Sequence, residues 1–218
     1  MPKTVRIYGT ARNLRDTPPR LPDVEVWVAN GPTTLGLRLR RSIDDEWTRF
    51  FNLHSKAHIV GTYPSGWYYY KHKAQGRPIY LQKADPDIPT SIAFPYKEVQ
   101  AFFATAKGPT RYFTCSAAWL IAFAIYEGFE RIELWGFELR DTKPHSAFAF
   151  ERPCFAYWVK VAQDRGIEVY YQEAITKLYA DGKMIPGDPE IYTGTLYGYD
   201  TKPGVGWNKE TEAFDGTD

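Results

Sequence analysis

The sequence predicts an α/β protein: a three-layer sandwich around a mostly parallel sheet, one domain with an irregular C-terminal tail. Three observations predict it. Short β-prone runs alternate with helix-length segments along most of the 218 residues, the signature of a parallel sheet with helices on its faces. The stretch Ala117 to Tyr126 carries no charge, so that helix has no wet face and is buried on most sides. It is followed by Gly128, a helix stop, and then by the β-prone run Arg131–Phe137, giving the helix-then-strand half of a βαβ unit.

Taken in order, Val5–Gly9 (VRIYG) reads as the first strand and leads directly into Thr10 to Leu14. A strand, a Gly turn and polar residues form a common phosphate or nucleotide seat in α/β proteins. Only one glycine is present, so neither the dinucleotide fingerprint nor a P-loop is formed. The Pro-rich connector Thr17–Asp23 excludes regular helix. Val24–Ala29 (VEVWVA) alternates as a strand and ends at Asn30-Gly31-Pro32, a turn. Arg49–His54 reads as the third strand, Tyr63–Lys73 as an aromatic helix, and Pro78–Gln82 as the fourth strand. Asp85–Pro89 is loop, and Tyr96–Ala106 is a helix ended by Gly108-Pro109. Arg111–Phe113 reads as a strand running into Thr114, Cys115 and Ser116, where Thr and Ser are good helix N-caps. After Arg131–Phe137 come the polar loop Asp141–Ser146, a helix over Phe150–Arg165 and a last strand, Ile167–Tyr171. Glu151 and Arg152 open that helix just before Pro153, which suits a first turn. Residues 1–178 form the domain; 179–218 form a Gly-, Pro- and Tyr-rich tail that wraps it, mobile from Thr201 onward.

Bulk properties exclude several classes. The net charge of +1 provides no global field for nucleic acid or an acidic membrane, although Arg38, Arg40 and Arg41 form a local basic patch. The N-terminus lacks an apolar signal core, and no run approaches the ~18 apolar residues of a membrane span. Two cysteines, Cys115 and Cys154, are not a disulfide framework. They read as small buried residues of a reduced, cytoplasmic protein. His54 and His58 have no third partner at a metal-ligand spacing, so no metal is expected. Aromatic residues make up 17% of the chain, enough for core, pocket walls or, over Tyr63–Tyr70 and the tail, a homo-oligomer interface.

In open α/β sheets ligands sit beyond the carboxyl ends of the strands, which selects the candidate residues. Thr114 and Ser116 would hold a phosphate at a helix N-terminus, or would only cap that helix. Asn30 would contact a base or ribose, or only make its turn. Glu138, beyond the strand at Arg131–Phe137, would bind a ribose hydroxyl or act as a base, or would pair with Arg131 or Arg140. Arg152 would clamp a phosphate. His145 and His54 are the imidazoles able to deprotonate a hydroxyl near neutral pH.

The segment Phe113–Leu139 resembles the strand–helix–strand part of bacterial sialyltransferases of the Cst type and of the Rossmann-like domain of motility-associated glycosyltransferases. The likeness is carried by the Ser/Thr-rich turn, the small-residue helix and Gly128-Phe129-Glu130-Arg131-Ile132-Glu133-Leu134-Trp135-Gly136-Phe137-Glu138. The chain as a whole resembles a set of short phage and prophage proteins through Trp27–Asn30, Leu53-His54, Tyr112–Ser116, Glu151–Cys154 and Leu196–Tyr199. The resemblance implies a Rossmann-like fold in a phage-infected or prophage-carrying bacterial cell. It also implies a metal-independent, glycosyltransferase-like protein that binds a nucleotide or nucleotide sugar as ligand or substrate rather than as a cofactor. Nucleotide contacts would fall on Thr10, Ala11, Asn13 and Asn30, with phosphate contacts on Thr114 and Ser116 and a base at His145. A non-catalytic protein that sequesters a nucleotide or another metabolite on the same scaffold is the alternative, so whether the chain is an enzyme stays open.

Overall fold

The structure, a computed structural model, describes residues 2–10, 17–30, 46–62, 64–73, 76–106, 108, 110–137, 139 and 148–171. The tail at 179–218, the basic patch at Arg38–Arg41 and the loop at Asp141–Ser146 lie outside them. In chain order the elements are β1 (Thr4–Tyr8), β2 (Val24–Ala29), β3 (Arg49–Asn52), α1 (Lys56–Thr62), α2 (Pro64–Lys73), β4 (Ile79–Leu81) and β5 (Ser91–Ala93). They continue with α3 (Tyr96–Phe102), α4 (Ser116–Tyr126), β6 (Arg131–Trp135), α5 (Phe148–Asp164) and β7 (Glu168–Tyr171).

The strands form one seven-stranded sheet in the order β5-β4-β3-β2-β1-β6-β7. The pairings β1–β2, β1–β6, β2–β3, β3–β4 and β4–β5 are all parallel. This is the Rossmann-like α/β architecture. Every residue of β1 is buried, so both faces of the sheet centre are covered, as parallel strands require. The order reverses at β1, which has β2 on one side and β6 on the other. Such a reversal leaves a crevice beyond the strands' carboxyl ends.

By contacts the chain divides into two compact units: Met1–Phe94 with Phe129–Phe137 and Tyr170–Gln172, and the remainder. In the first unit, one sheet face presents Tyr8, Val26, Val28, Phe50, Ile79, Leu81 and Trp135. Ile59 of α1 and Tyr70 of α2 close over them, with Trp67 and Tyr69 packed alongside. The opposite face carries Trp27, tilted against Phe51 at 5.1 Å and edge-on to Phe129 at 5.3 Å. Phe51 stacks on its cross-strand partner Tyr80 at 4.7 Å. Aromatic pairs of this kind add stabilisation beyond the area they bury.

Two features tie the sheet centre together. Arg6 and Glu133 are directly opposite on β1 and β6, and their ion pair is 2.8 Å long with Arg6 only 3% exposed. The guanidinium also donates to the carbonyls of Pro18 and Pro19, which pins the Pro-rich connector. Burial works against its charge, but Tyr8 and Glu133 outweigh that and raise the Arg6 pKa. Beyond the strands, the Gly9 N–H donates to the Trp135 carbonyl at 2.8 Å. The backbone there passes so close to Gly136 that glycine is required at position 9.

In the second unit, Phe113 stacks on Trp119 at 3.5 Å and on Trp158 at 4.6 Å. Phe103 meets Trp158 and Tyr96 meets Trp119, both edge-on. All of α4 from Ser116 to Ile125 is buried, matching its uncharged sequence. Three sequence expectations are corrected here. Arg111–Phe113 is not a strand, because side chains of α5 capture its backbone. The Tyr112 carbonyl accepts from Trp158 Nε1 at 2.7 Å and from Cys154 Sγ, and the Thr114 N–H donates to that same sulfur. The N-cap of α4 is Cys115, in extended conformation and without a side-chain cap bond. Pro153 lies inside α5, which begins earlier, at Phe148; Glu151 still occupies its first turn.

Replacing Gly9 with Ala should destabilise the protein by about 1–3 kcal/mol in urea melts, the cost of overpacking. Its Cβ would sit 2.5 Å from the Gly136 carbonyl oxygen and 2.9 Å from Phe137 Cδ1, and a backbone oxygen in a strand exit cannot swing aside. Gly61→Ala in α1 is the control: a Cβ there meets nothing within 4 Å. The added helix propensity should stabilise by about 0.5–1 kcal/mol.

Candidate functional site

Three of the residues selected from sequence leave the sheet on one edge. Thr10 follows β1, Asn30 follows β2 and His54 follows β3, and these strands are consecutive neighbours. Ala11, Asn13, Glu138 and His145 lie outside the described residues. Thr114, Ser116 and Arg152 belong to the second unit.

Asn30 has a left-handed backbone, with φ of 63°. Its N–H donates to the Phe51 carbonyl at 2.9 Å, so it makes one last contact with β3 and then turns away. Asn tolerates this conformation better than other side chains. That N–H bond does not involve the side-chain amide. Its Oδ1 is buried and has no hydrogen-bond partner among the described residues. Trp135, at the end of β6, has a buried indole Nε1 in the same condition. Sequence reading assigned Trp135 only to a strand; a tryptophan at a strand's carboxyl end, just before Gly136, was the available signal. Buried polar groups are almost always bonded, so an acceptor and a donor left this way on the two strands flanking β1 are candidate ligand contacts.

β3 is shorter than the sequence suggested and stops at Asn52, whose side chain turns back. Asn52 Nδ2 donates to the Tyr70 hydroxyl at 3.0 Å, and its Oδ1 accepts from the His54 N–H. Burial pushes the Tyr70 phenol well up, only partly offset by Asn52. Ser55 caps α1 through Oγ, which accepts from the His58 N–H at 3.2 Å. Cap and helix bring the His54 and His58 rings into a stack 4.5 Å apart. Among the described residues, no group of three or more His, Cys, Asp or Glu side chains is placed to hold a metal.

Beside His54 is a pocket of about 300 Å³ at the carboxyl ends of β3 and β4. One wall is α1 and α2; the other is Gln82–Asp85, where the sequence predicts the end of the fourth strand and a loop, and where the strand in fact stops at Leu81. Gln82 Nε2 donates to the Leu53 carbonyl at 2.9 Å, holding that loop to the end of β3. Asp85 organises the loop: its N–H donates to Ser91 Oγ, its carbonyl accepts from the same hydroxyl, and its Oδ1 accepts from the Asp87 N–H. Its Oδ2 pairs with Lys56 Nζ at 2.6 Å, and that ammonium also lies 5.0 Å from the Trp67 ring centre. The aromatic helix α2 turns most of its rings inward. Tyr69 accepts from Trp47 Nε1, Tyr70 is buried, and Tyr68 is exposed.

In the second unit, Thr114 is fully buried and Ser116 nearly so. The Cys115 thiol lies well above its ordinary pKa, because it is hydrogen-bonded to the free Cys154 thiol and is buried. Cys115 is therefore a protonated core residue, not a nucleophile. Arg152 is partly buried, next to the buried Glu151.

No protein-family model matches the chain, and neither a curated protein nor a solved structure matches it. Among the described residues no helix is long and apolar enough to cross a membrane.

The Lys56–Asp85 pair sets a pH window for the pocket wall. Burial raises the Asp85 pKa, but the Lys56 bond, the Asp87 N–H and the Lys56 and Lys71 charges outweigh it, so the carboxyl titrates below its ordinary value. The Lys56 ammonium titrates above its own, chiefly through the bond to Asp85. The order this pair imposes is therefore complete between the two ordinary values. It is lost in acid as pH falls through the lowered Asp85 pKa, and in base as pH rises through the raised Lys56 pKa. Hydrogen exchange at the Asp87 and Ile88 amides should be slowest relative to intrinsic rates within that window. Asp85→Asn keeps the Oδ1 acceptor and should remove the acid limb.

Proposed function

We propose that the chain binds a nucleotide or nucleotide sugar at the carboxyl edge of β1, β2 and β6, on a glycosyltransferase-like scaffold. The observation that carries this is Asn30: its backbone already satisfies the turn, yet its amide oxygen is buried without a partner among the described residues. Trp135 Nε1 supplies a donor on the other flank of β1. An amide acceptor and an indole donor are the kinds of group that pair with the polar edge of a nucleobase or ribose, and the reversal point of a Rossmann-like sheet is where such sheets take ligands. Thr10 lies between Asn30 and Trp135, just beyond the end of β1.

Glycosyl transfer is the catalytic form of this proposal. It requires a general base at that edge, and His54, which follows the neighbouring strand β3, is the described imidazole there. Sequestration of an unreacted nucleotide is the non-catalytic form. Incubation with CMP-, CDP- or UDP-sugars, followed by mass spectrometry, separates the two: hydrolysed or transferred sugar marks the first, intact ligand the second.

The binding step is tested by Asn30→Gly. Glycine keeps the left-handed turn and relieves strain, so stability should hold or rise by up to about 1 kcal/mol. Affinity for the best of CMP, CDP and UDP should fall about tenfold or more, the loss of about 1.4 kcal/mol of contact. Wild-type protein that shows no calorimetric binding to any of the three overturns the proposal. Unchanged affinity in Asn30→Gly returns Asn30 to the role of a turn residue.

A further inference from the structure

The pocket at the ends of β3 and β4 has its own chemistry, distinct from the Asn30 edge. Its volume of about 300 Å³ is at the low end for ligand sites, enough for a single-ring metabolite but not for a whole nucleotide sugar. Ile59, Trp67 and Leu81 form an apolar wall. The partly buried Trp67 offers a flat surface of the type that ring-shaped ligands stack on. Opposite are polar groups of two kinds. Gln82 uses its amide nitrogen on the Leu53 carbonyl, which leaves its oxygen as an acceptor for a ligand hydroxyl. His54 adds an imidazole beside it.

The charges are unequal. Lys56 and Lys83 bring two ammonium groups to the lining against the single carboxylate of Asp85. Lys56 is held by Asp85 at 2.6 Å and lies 3.9 Å from Asp87, which Lys71 approaches at 3.7 Å; Lys83 makes no ion pair with any described residue, so these three ammonium groups still outnumber the two carboxylates by one. A neutral ligand leaves this excess charge unanswered, and a cation meets it unfavourably. One anionic group on the ligand balances it.

We propose that this pocket binds a small metabolite made of one hydroxylated ring bearing one anionic group, a sugar phosphate or a sugar carboxylate. The ring packs along Trp67, its hydroxyls meet Gln82 and His54, and the anion meets Lys83 at the pocket mouth. The site shares the sheet edge with Asn30 but not the Asn30 contact, so it stands whether or not a nucleotide binds there.

The test is protein-observed NMR titration of the full chain with glucose 6-phosphate, glucuronate, glucose and inorganic phosphate. Saturable shifts at the Trp67 indole and the Gln82 side-chain amide are expected with glucose 6-phosphate or glucuronate. Whichever of the two binds more tightly identifies the anion as phosphate or carboxylate. Glucose and inorganic phosphate should each bind at least tenfold more weakly, since each lacks half of the recognised chemistry. Lys83→Gln, at an exposed position, should weaken binding fivefold or more, and Lys83→Glu should abolish it, with the melting temperature unchanged in both. Asn30→Gly should leave this binding intact, which separates the pocket from the nucleotide edge. The proposal is overturned if neither anionic sugar saturates at millimolar concentration, if inorganic phosphate binds as well as they do, or if the Lys83 variants bind as wild type.

Discussion

The close approach of β1 and β6 at their carboxyl ends is the constraint on which the first unit depends. There the Gly9 N–H bonds to the Trp135 carbonyl, and the space a Cβ would need at Gly9 is filled by the Gly136 carbonyl and the Phe137 ring. One turn of pleat earlier, Arg6 and Glu133 face each other across the same two strands in a nearly buried ion pair. Removing one partner of such a pair is costly because the other charge is left buried. Glycine geometry and ion pair together fix the register of the central strands. That register sets the level at which β1, β2 and β6 end, and hence where Thr10, Asn30 and Trp135 emerge.

The edge produced in this way carries two chemistries. Among the described residues, the groups around the end of β1 are neutral: an amide oxygen, an indole N–H and glycine backbone. Around β3 and β4 they are charged: Lys56, Lys83 and Asp85 beside His54. The difference follows from connectivity. β3 is followed directly by the capped helix α1, and β4 by the Asp85 turn, both of which reach solvent and can carry charge. Lys56 and Asp85 are 29 residues apart in sequence and meet only because β3 and β4 are adjacent.

That dependence on adjacency explains which parts were legible in the sequence. Val24–Ala29 alternates strongly and was read at its observed bounds, and the uncharged α4 was read to within one residue. α1 was not read, because Ile59, Val60 and Gly61 are poor helix formers and the helix depends on the Ser55 cap and its packing. β5 was not read either, since Ser91–Ala93 is short and mostly exposed. Arg111–Phe113 misled through its aromatic, β-prone composition: tertiary bonds from Trp158 and Cys154 override local preference there. Asn30 was visible because Asn-Gly after a strand is a local signal. Gln82, Lys83 and Asp85 were not, because an ordinary polar loop becomes a pocket wall only when a neighbouring strand supplies Leu53 and His54.

The polar groups of the sheet centre differ along its length in a way that bears on function. In mid-sheet, the buried Arg6 is answered by Glu133, Pro18 and Pro19. At the carboxyl ends, Asn30 Oδ1 and Trp135 Nε1 are buried with no described partner. Leaving a buried polar group unpaired costs about 1–3 kcal/mol, against a typical total stability of about 5–15 kcal/mol. A phenylalanine at position 135 would avoid that cost and fill most of the space beside Tyr8. Within the sheet, an asymmetry that is costly to stability and lies at the end where parallel α/β folds take their ligands is one that a bound polar molecule would offset. The cost of folding without the ligand then becomes part of the free energy of binding it.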